Sequence, residues 1–247
     1  MRSIAGFMFC LSIIATPAFA ASANYLYRAE MVQAAPGKFT ELLDLYARQA
    51  TLATITGDAP AFVMRHSQGD RWDLLLIYPM GSYAEYYSAE RITKRKKPES
   101  ENVLRQIEQN IAWREDLFLY GPALKAIRAA FANARFYHIE MLHALPGRQA
   151  DLVKEREMES AYNQALGRPA LFIFTRDSGA HYDVISIDFY RDIKHYAESA
   201  DIPSEKQQAA ARSAGYNAPE QIGPFLRSII ADHHDTLAVA VIPTQQR

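Results

Sequence analysis

Two glutamates stand at matching places in this chain, each two residues after a basic or imidazole side chain. Arg28 precedes Glu30, and His138 precedes Glu140, within stretches of alternating residues. Residues two apart on a strand share one face of a sheet. A carboxylate beside an imidazole in a partly apolar pocket can act as a general base, because burial and a neighbouring charge shift both pKa values. Ion pairs that brace each strand are the alternative interpretation.

Other residues on matched positions could contact a ligand. Trp72 and Tyr182 correspond to each other and could stack on a planar molecule, although such aromatics often belong to the core. Tyr78, Ser186 and Asp188 add polar groups at the same alternation. The candidate catalytic residues are Glu140 and His138, and the candidate ligand-binding residues are Arg28, Glu30, Trp72, Tyr78, His138, Glu140, Tyr182, Ser186 and Asp188.

Motifs of several other chemistries are absent from the sequence. There is no H-E-x-x-H or C-x-x-C spacing for zinc, no Gly-rich phosphate loop and no G-x-S-x-G elbow. His233-His234-Asp235 is interpreted as a solvated corner before a strand. We therefore expect no metal and no cofactor.

The elements that position these residues occur twice. Shifted by 110 residues, the chain matches itself without a gap, and 13 of the 61 residues from 27 to 87 are identical. YRAEMVQAAPGK at 27–38 matches YHIEMLHALPGR at 137–148. Shared Pro-Gly, Gly and Asp positions indicate a tandem duplication.

Each copy predicts the order β-α-β-β-α-β. An alternating strand ends at Pro-Gly, an amphipathic helix follows over about 38–56 in the first copy, and a hairpin turns at Gly69 or Gly179. Asp73 and Asp183 begin the next strand and are expected to accept backbone N–H bonds. The second helices begin near Ser82 and Asp192, and the last strands are expected at 117–120 and 237–242.

This order is the ferredoxin-like unit, so the fold class is α+β. A four-stranded antiparallel sheet with helices on one face leaves the other face open, and two units can cover each other face to face. The predicted fold is an intramolecular, pseudo-dimeric α+β barrel. The helix-facing side is expected to be the more uniformly apolar, so the mixed set with Arg28, Glu30, His138 and Glu140 is predicted to face the barrel interior.

Composition and the first residues indicate export. Residues 1–20 combine Arg2, an apolar run and Thr16-Pro17-Ala18-Phe19-Ala20, the layout of a secretory signal peptide. The expected organisation is therefore a signal peptide over 1–20, a first repeat over 21–125, a linker over 126–133 and a second repeat over 134–247. The mature chain would carry a net charge of 26 − 28 = −2 and no cysteine, since Cys10 lies in the signal peptide. We therefore expect a periplasmic or secreted protein. It should have no nucleic-acid partner, no membrane association after cleavage and no disulfide.

The pattern resembles the dimeric α+β barrel superfamily. The segment YRAEMVQAAPGKFTELL is similar to the start of NIPSNAP-like domains, and both repeats, 24–121 and 134–243, resemble NIPSNAP-like and antibiotic-biosynthesis-monooxygenase-like units. The resemblance implies the barrel fold. It also allows haem, which related two-unit proteins bind, but none of their sequence patterns surrounds a histidine here.

Three functions remain open at this point. An exported binding or accessory protein would hold a small, partly aromatic ligand between the two sheets. A cofactor-free oxygenase or isomerase would use Glu140 with His138 as its base. A structural domain would fill the barrel with its own side chains and act through an external protein partner. The duplication closes a barrel within one chain, so a monomer is expected, with further assembly allowed.

Overall fold

The computed structural model describes residues 25–241, so the predicted signal peptide lies outside the described residues. Eight strands form a closed antiparallel barrel in the order β1-β3-β2-β8-β5-β7-β6-β4. Their bounds are Tyr25–Ala34 (β1), Phe62–Gln68 (β2), Leu74–Gly81 (β3), Ile111–Gly121 (β4), Phe136–Ala144 (β5), Phe172–Gly179 (β6), Val184–Tyr190 (β7) and Ile230–Ala240 (β8).

Helices cover the outside of this barrel and one of its ends. The first repeat contributes Phe39–Thr56 (α1), Tyr83–Tyr86 (α2), Ala89–Arg95 (α3) and Pro98–Gln109 (α4). Leu124–Asn133 (α5) lies between the repeats, and the second repeat contributes Gln149–Ala165 (α6), Ile193–Ala197 (α7), Ser204–Ser213 (α8) and Ile222–Arg227 (α9), with 3₁₀ turns at Glu198–Asp201 and Pro219–Gln221. Across 25–241, no helix is both long and apolar enough to cross a membrane.

The predicted α+β class and fused pseudo-dimeric barrel are confirmed. Each repeat keeps the ferredoxin-like strand order, and two pairings, β2 with β8 and β4 with β6, join the repeats. The second helix of each unit begins where predicted, because Ser82 accepts the N–H of Glu85 and Asp192 accepts the N–H of His195. In each repeat the region expected to form one second helix is divided into several short helices. The segment predicted as a linker, 126–133, forms most of α5.

Two glycines allow the repeats to meet. Gly69 and Gly179 have φ of +112° and +105°, as the matched turn positions predicted. A Cβ at either residue would lie within 3.0 Å of a backbone oxygen of the other repeat, that of Asp235 or Asp116. The glycines thus serve barrel closure as well as the turn.

The repeated aspartates tie strand ends together. Ala34 donates its N–H to Asp73 Oδ2 at 2.8 Å, and Ala144 donates to Asp183 Oδ2 at 2.9 Å. The predicted backbone acceptor role is present, although the donor belongs to the neighbouring strand at an irregular register.

Candidate functional site

The barrel interior is filled by apolar side chains of the parity opposite to the one predicted. These residues are buried in one cluster shared by both repeats, and they include Tyr27, Ala29, Met31, Leu75, Ile77, Tyr137, Ile139, Met141, Ile185 and Ile187. Strands enclose the interior on all sides and Ile127 of α5 packs at one end, so most of its side chains are shielded from water. Uniform apolarity is therefore a requirement of the interior.

The polar set lies on the outer face of the barrel, beneath the helices, which corrects the predicted direction of Arg28, Glu30, Tyr78, His138, Glu140, Ser186 and Asp188. Val32, Leu74 and Leu76 share this face and pack on α1 and α4. Helices cover the face incompletely, so polar groups can reach water or each other at its margins. The barrel interior is therefore the more uniformly apolar face, whereas the sequence predicted that property for the face beneath the helices.

A cavity of about 340 Å³ lies in this layer in the first repeat. Its middle is apolar, with Ala50, Ala53, Val63, Leu76 and Val103 among the lining residues. No histidine lines it, so it offers no imidazole to a haem iron. Its size falls in the range of sites that enclose small molecules.

Polar groups converge at one end of the cavity. Tyr46 on α1 donates its hydroxyl to Glu30 Oε1 at 2.9 Å, and Arg28 Nη2 lies 2.5 Å from Glu30 Oε2. The Arg28 guanidinium also lies 4.6 Å from the centre of the Tyr78 ring. Burial raises the pKa of the Glu30 carboxyl, while Arg28 opposes that rise. Glu30 and Arg28 therefore form the ion pair that was the alternative interpretation of this motif.

An ion-pair cluster bounds the other end. Asp58, just after α1, accepts hydrogen bonds from Arg91 and from Arg95 Nε, the latter at 2.6 Å. Arg95 also lies 3.7 Å from the centre of the Tyr86 ring. These contacts fasten the short helices over the cavity. Arg91 and Arg95 are thus held in the fold by Asp58.

In the second repeat the corresponding positions hold buried charges. Arg156 stands where Tyr46 stands in the first copy and is fully buried. Its Nη1 lies 2.5 Å from Glu140 Oε2, and its Nη2 lies 2.6 Å from Glu155 and 2.5 Å from Glu159. Tyr216 donates its hydroxyl to Glu155 at 3.0 Å. Burial raises the pKa values of Glu155 and Glu159 and the neighbouring Glu140 adds to the rise, while Arg156 opposes it.

His138 does not pair with Glu140, contrary to the predicted bracing pair. It lies between two other carboxylates, at 3.2 Å from Asp188 and 2.6 Å from Asp235. Burial opposes its charge, yet these hydrogen bonds and nearby Glu140 raise the pKa of His138 to about 11. A protonated imidazole cannot accept a proton, so the arrangement favours ion pairing over base catalysis at this position.

Trp72 and Tyr182 do lie inside the barrel, because irregular backbone at Asp73 and Asp183 interrupts the alternation before β3 and β7. Both line a second cavity of about 310 Å³ at the end of the barrel away from α5. Trp72 donates its indole N–H to Asp70 at 2.9 Å. Their predicted role in stacking on a ligand stays a prediction.

Several cavity residues were not among the sequence candidates: Tyr46, Gln49, Asp58, Tyr86 and Arg95. The repeat alignment carried a signal for the first two, because α1 has Tyr46 and Gln49 where α6 has Arg156 and Glu159. For the other three no sequence signal exists, since they meet only when the short helices fold over α1.

No family model matches the chain, and the search of curated proteins found no match. Solved structures do match over most of the chain. An anthrone oxidase-like protein aligns with a TM-score of 0.58 at 11% identity, covering 89% of this chain and 92% of its own. A monooxygenase-like protein of Fusobacterium nucleatum gives 0.54 at 10% identity, covering 90% and 94%. Another from Lactobacillus acidophilus gives 0.51 at 6% identity, covering 87% and 93%.

These similarities concern the fold. The predicted dimeric α+β barrel fold is shared with these structures, here with the two units in one chain. Monooxygenase-like proteins share this architecture, but architecture does not carry function by itself. The function must be argued from the cavity.

Proposed function

We propose that this protein binds a small, planar and largely apolar molecule with one or two polar oxygens, in the cavity between α1 and the outer face of the first sheet. The observation that carries the proposal is the arrangement of this cavity, whose apolar middle ends in Arg28, Tyr46 and Tyr78. Such a combination of apolar walls and a few directed polar groups is typical of small-molecule sites. The site lies under the helices and replaces the predicted one between the sheets.

The polar end favours a neutral or weakly acidic oxygen over a strong anion. Arg28 is already paired with Glu30 and lies 3.6 Å from Asp116, so its charge is largely compensated. Its Nε is nevertheless buried without a hydrogen-bond partner among the described residues. A carbonyl or phenol oxygen beside Arg28 would accept from this N–H without the cost of desolvating an extra charge.

Binding of Nile red, a planar, uncharged and largely apolar fluorophore with a carbonyl oxygen, tests this site. We expect one saturable site per chain, and Ala53→Trp, which fills the cavity from α1, should weaken it at least tenfold. Ala47→Trp places the same side chain on the exposed face of α1 and serves as control. Equal fluorophore binding by both variants, with cooperative unfolding retained, would contradict the proposal.

A second candidate function is cofactor-free oxygenation. The observation that favours it is Glu30, a buried carboxyl with a raised pKa whose partner Tyr46 lines the cavity. Glu30 could take a proton from an acidic C–H group through the Tyr46 hydroxyl, and the resulting carbanion would react with O₂. For anthrone, a substrate suggested by the anthrone oxidase-like structural neighbour, one O₂ would yield anthraquinone and water.

Oxygen uptake with anthrone separates the two functions. An enzyme should consume oxygen catalytically and lose at least a hundredfold in kcat on Glu30→Gln. A binding protein should retain the fluorophore site and show no protein-dependent uptake. Because His138 lies in the second repeat and does not line this cavity, His138→Gln should leave any turnover unchanged.

We further propose that the protein is exported, supported by the layout of residues 1–20 and the absence of cysteine from the remainder. Mass measurement of the protein from a periplasmic extract would show a start at Ala21. A chain beginning at Met1 would contradict export.

A further inference from the structure

We propose that His143, His181 and Asp232 bind one divalent first-row transition-metal ion at the end of the barrel away from α5. One ligand atom from each residue can be chosen so that all three lie within 4.8 Å of one another. His143 Nδ1 lies 3.1 Å from Asp232 Oδ2, and His181 Nε2 lies 3.5 Å from Asp232 Oδ1. Donors at about 2.0–2.2 Å from a common ion are themselves separated by about 3–4 Å, so the spacing suits one ion.

The three side chains come from different elements of a closed barrel. His143 on β5 stands directly opposite Asp232 on β8, and His181 lies in the turn between β6 and β7. The barrel wall limits how far their backbones can move. All three side chains are between 37% and 49% exposed, so an ion can enter from solvent and water can complete its coordination.

The sequence predicted no metal ligands, and the reason is specific. The last strand was expected to begin at 237, whereas β8 begins at Ile230. The extra residues bring Asp232 into register with His143, a pairing across 89 residues that no spacing motif records. His233 and His234, interpreted as a solvated corner, lie within the strand.

The first repeat shows that barrel closure does not require this cluster. Its corresponding positions are Gln33, paired with Trp113 across β1 and β4, and Arg71 in the turn. Arg71 lies 4.0 Å from the centre of the Trp113 indole. The same corner is thus stabilised by a cation–π contact in one half and carries three metal-ligand side chains in the other.

The surroundings agree with a metal role for His181. Its Nδ1 lies 4.0 Å from Glu115 on β4 while its Nε2 faces Asp232. At 4.0 Å this carboxylate is too far away to hydrogen-bond to the ring, but its negative charge favours a bound cation. Two imidazoles and one carboxylate favour Zn²⁺, Cu²⁺, Ni²⁺ or Co²⁺ over Mg²⁺ and Ca²⁺, which prefer oxygen alone.

Zinc titration of protein made without a polyhistidine tag and cleared of metal by EDTA tests the proposal. We expect one Zn²⁺ per chain by calorimetry and an increase in Tm on adding zinc. Cu²⁺ should quench the fluorescence of Trp72 and Trp113, the two tryptophans of the chain, because both line the adjacent cavity.

The variants His143→Gln and His181→Arg install the residues of the first repeat, and Asp232→Asn keeps the shape of the side chain. Each should weaken zinc binding at least tenfold, with the Tm of the metal-free protein nearly unchanged. His233→Gln is the control, because this exposed residue follows Asp232 on the same strand and points the other way. Absence of saturable binding in the unmodified protein overturns the proposal, as does equal binding by all four variants.

Discussion

The two repeats have the same fold but fill the space between helix and sheet differently. In the first, α1 has Leu45, Tyr46 and Gln49; the last two line a cavity, and Tyr46 donates its hydroxyl to the buried carboxyl of Glu30. In the second, the corresponding residues of α6 are charged, and they form a network around Arg156. The second repeat therefore fills the space between helix and sheet with paired charges, while the first keeps a cavity there.

Buried charges between α6 and the sheet of the second repeat, here called the second layer, make stability sensitive to the loss of one partner. The space between α1 and the first sheet is the first layer. Removing a cation leaves carboxylates that must be neutralised or desolvated alone, whereas an apolar layer loses only contacts. The first repeat pairs Glu30 with Arg28 at its margin, where the guanidinium is one-third exposed. We expect the two layers to respond differently to substitution and to pH.

The largest expected effect is at the centre of the charged network. Arg156→Met should lower the free energy of unfolding by about 3–5 kcal/mol, because Glu140 and Glu155 lose their common cation. Urea unfolding monitored by circular dichroism measures it. Arg148→Met, an exposed arginine just before the same helix, should change stability by less than about 0.5 kcal/mol. Similar values for both would mean that the network is not a source of stability.

His138 should give the second repeat a pH dependence. Its pKa rises from 6.5 to about 11 on folding, so its contribution is complete below pH 6.5 and is lost as the pH approaches 11. The free energy of unfolding should fall by about 2 kcal/mol between pH 7 and pH 9. His138→Gln should flatten this slope, and unfolding curves at several pH values test it. The first repeat has Arg28 at this position, which stays charged throughout. An unchanged slope in the variant would show that another group titrates.

A smaller effect is expected in the first layer. Tyr46→Phe removes the hydroxyl that donates to Glu30 and should cost about 1 kcal/mol in urea unfolding, without disturbing the packing of the ring. It should also alter fluorophore binding, since Tyr46 lines the cavity. A cost as large as that of Arg156→Met would remove the contrast between the layers.

The smallest effect is expected at the margin of the cavity. Tyr78 donates its hydroxyl to Gln49 at 3.1 Å and is partly exposed. Tyr78→Phe should cost about 0.5 kcal/mol or less, because water can replace the lost partner. The ratio of fluorophore affinities between this variant and the unmodified protein would then report on ligand contact alone.

Much of the fold was predictable because local chemistry repeats. The Pro-Gly ends of the first strands, the glycine turns, the caps at Ser82 and Asp192 and the apolar stripe of α1 each carry a local physical reason. The occurrence of the same local signals in both copies argues against chance. The lengths of the last strands were underestimated, because charged residues at 230–236 conceal strands that pair along the barrel wall.

The candidate site was predicted only in part. Glu30 and Glu140 were singled out from the sequence, and both are buried. Glu30 pairs with Arg28 as the ion-pair alternative expected, whereas Glu140 pairs with Arg156 and not with His138. Arg156 reaches Glu140 from a helix 16 residues later, and Asp235 reaches His138 from a strand 97 residues later. Alternation along a strand tells which residues share a face and leaves the identity of that face open.

By itself the sequence determined the duplication, the order of elements and the residues that share each strand face, because these depend on contacts between near neighbours. Only the tertiary structure decided which face became the barrel interior, where the cavity remained and which histidines met Asp232. Those outcomes depend on how two sheets enclose each other. An interior closed on all sides must be apolar, while a face covered by helices can keep charge at its margins.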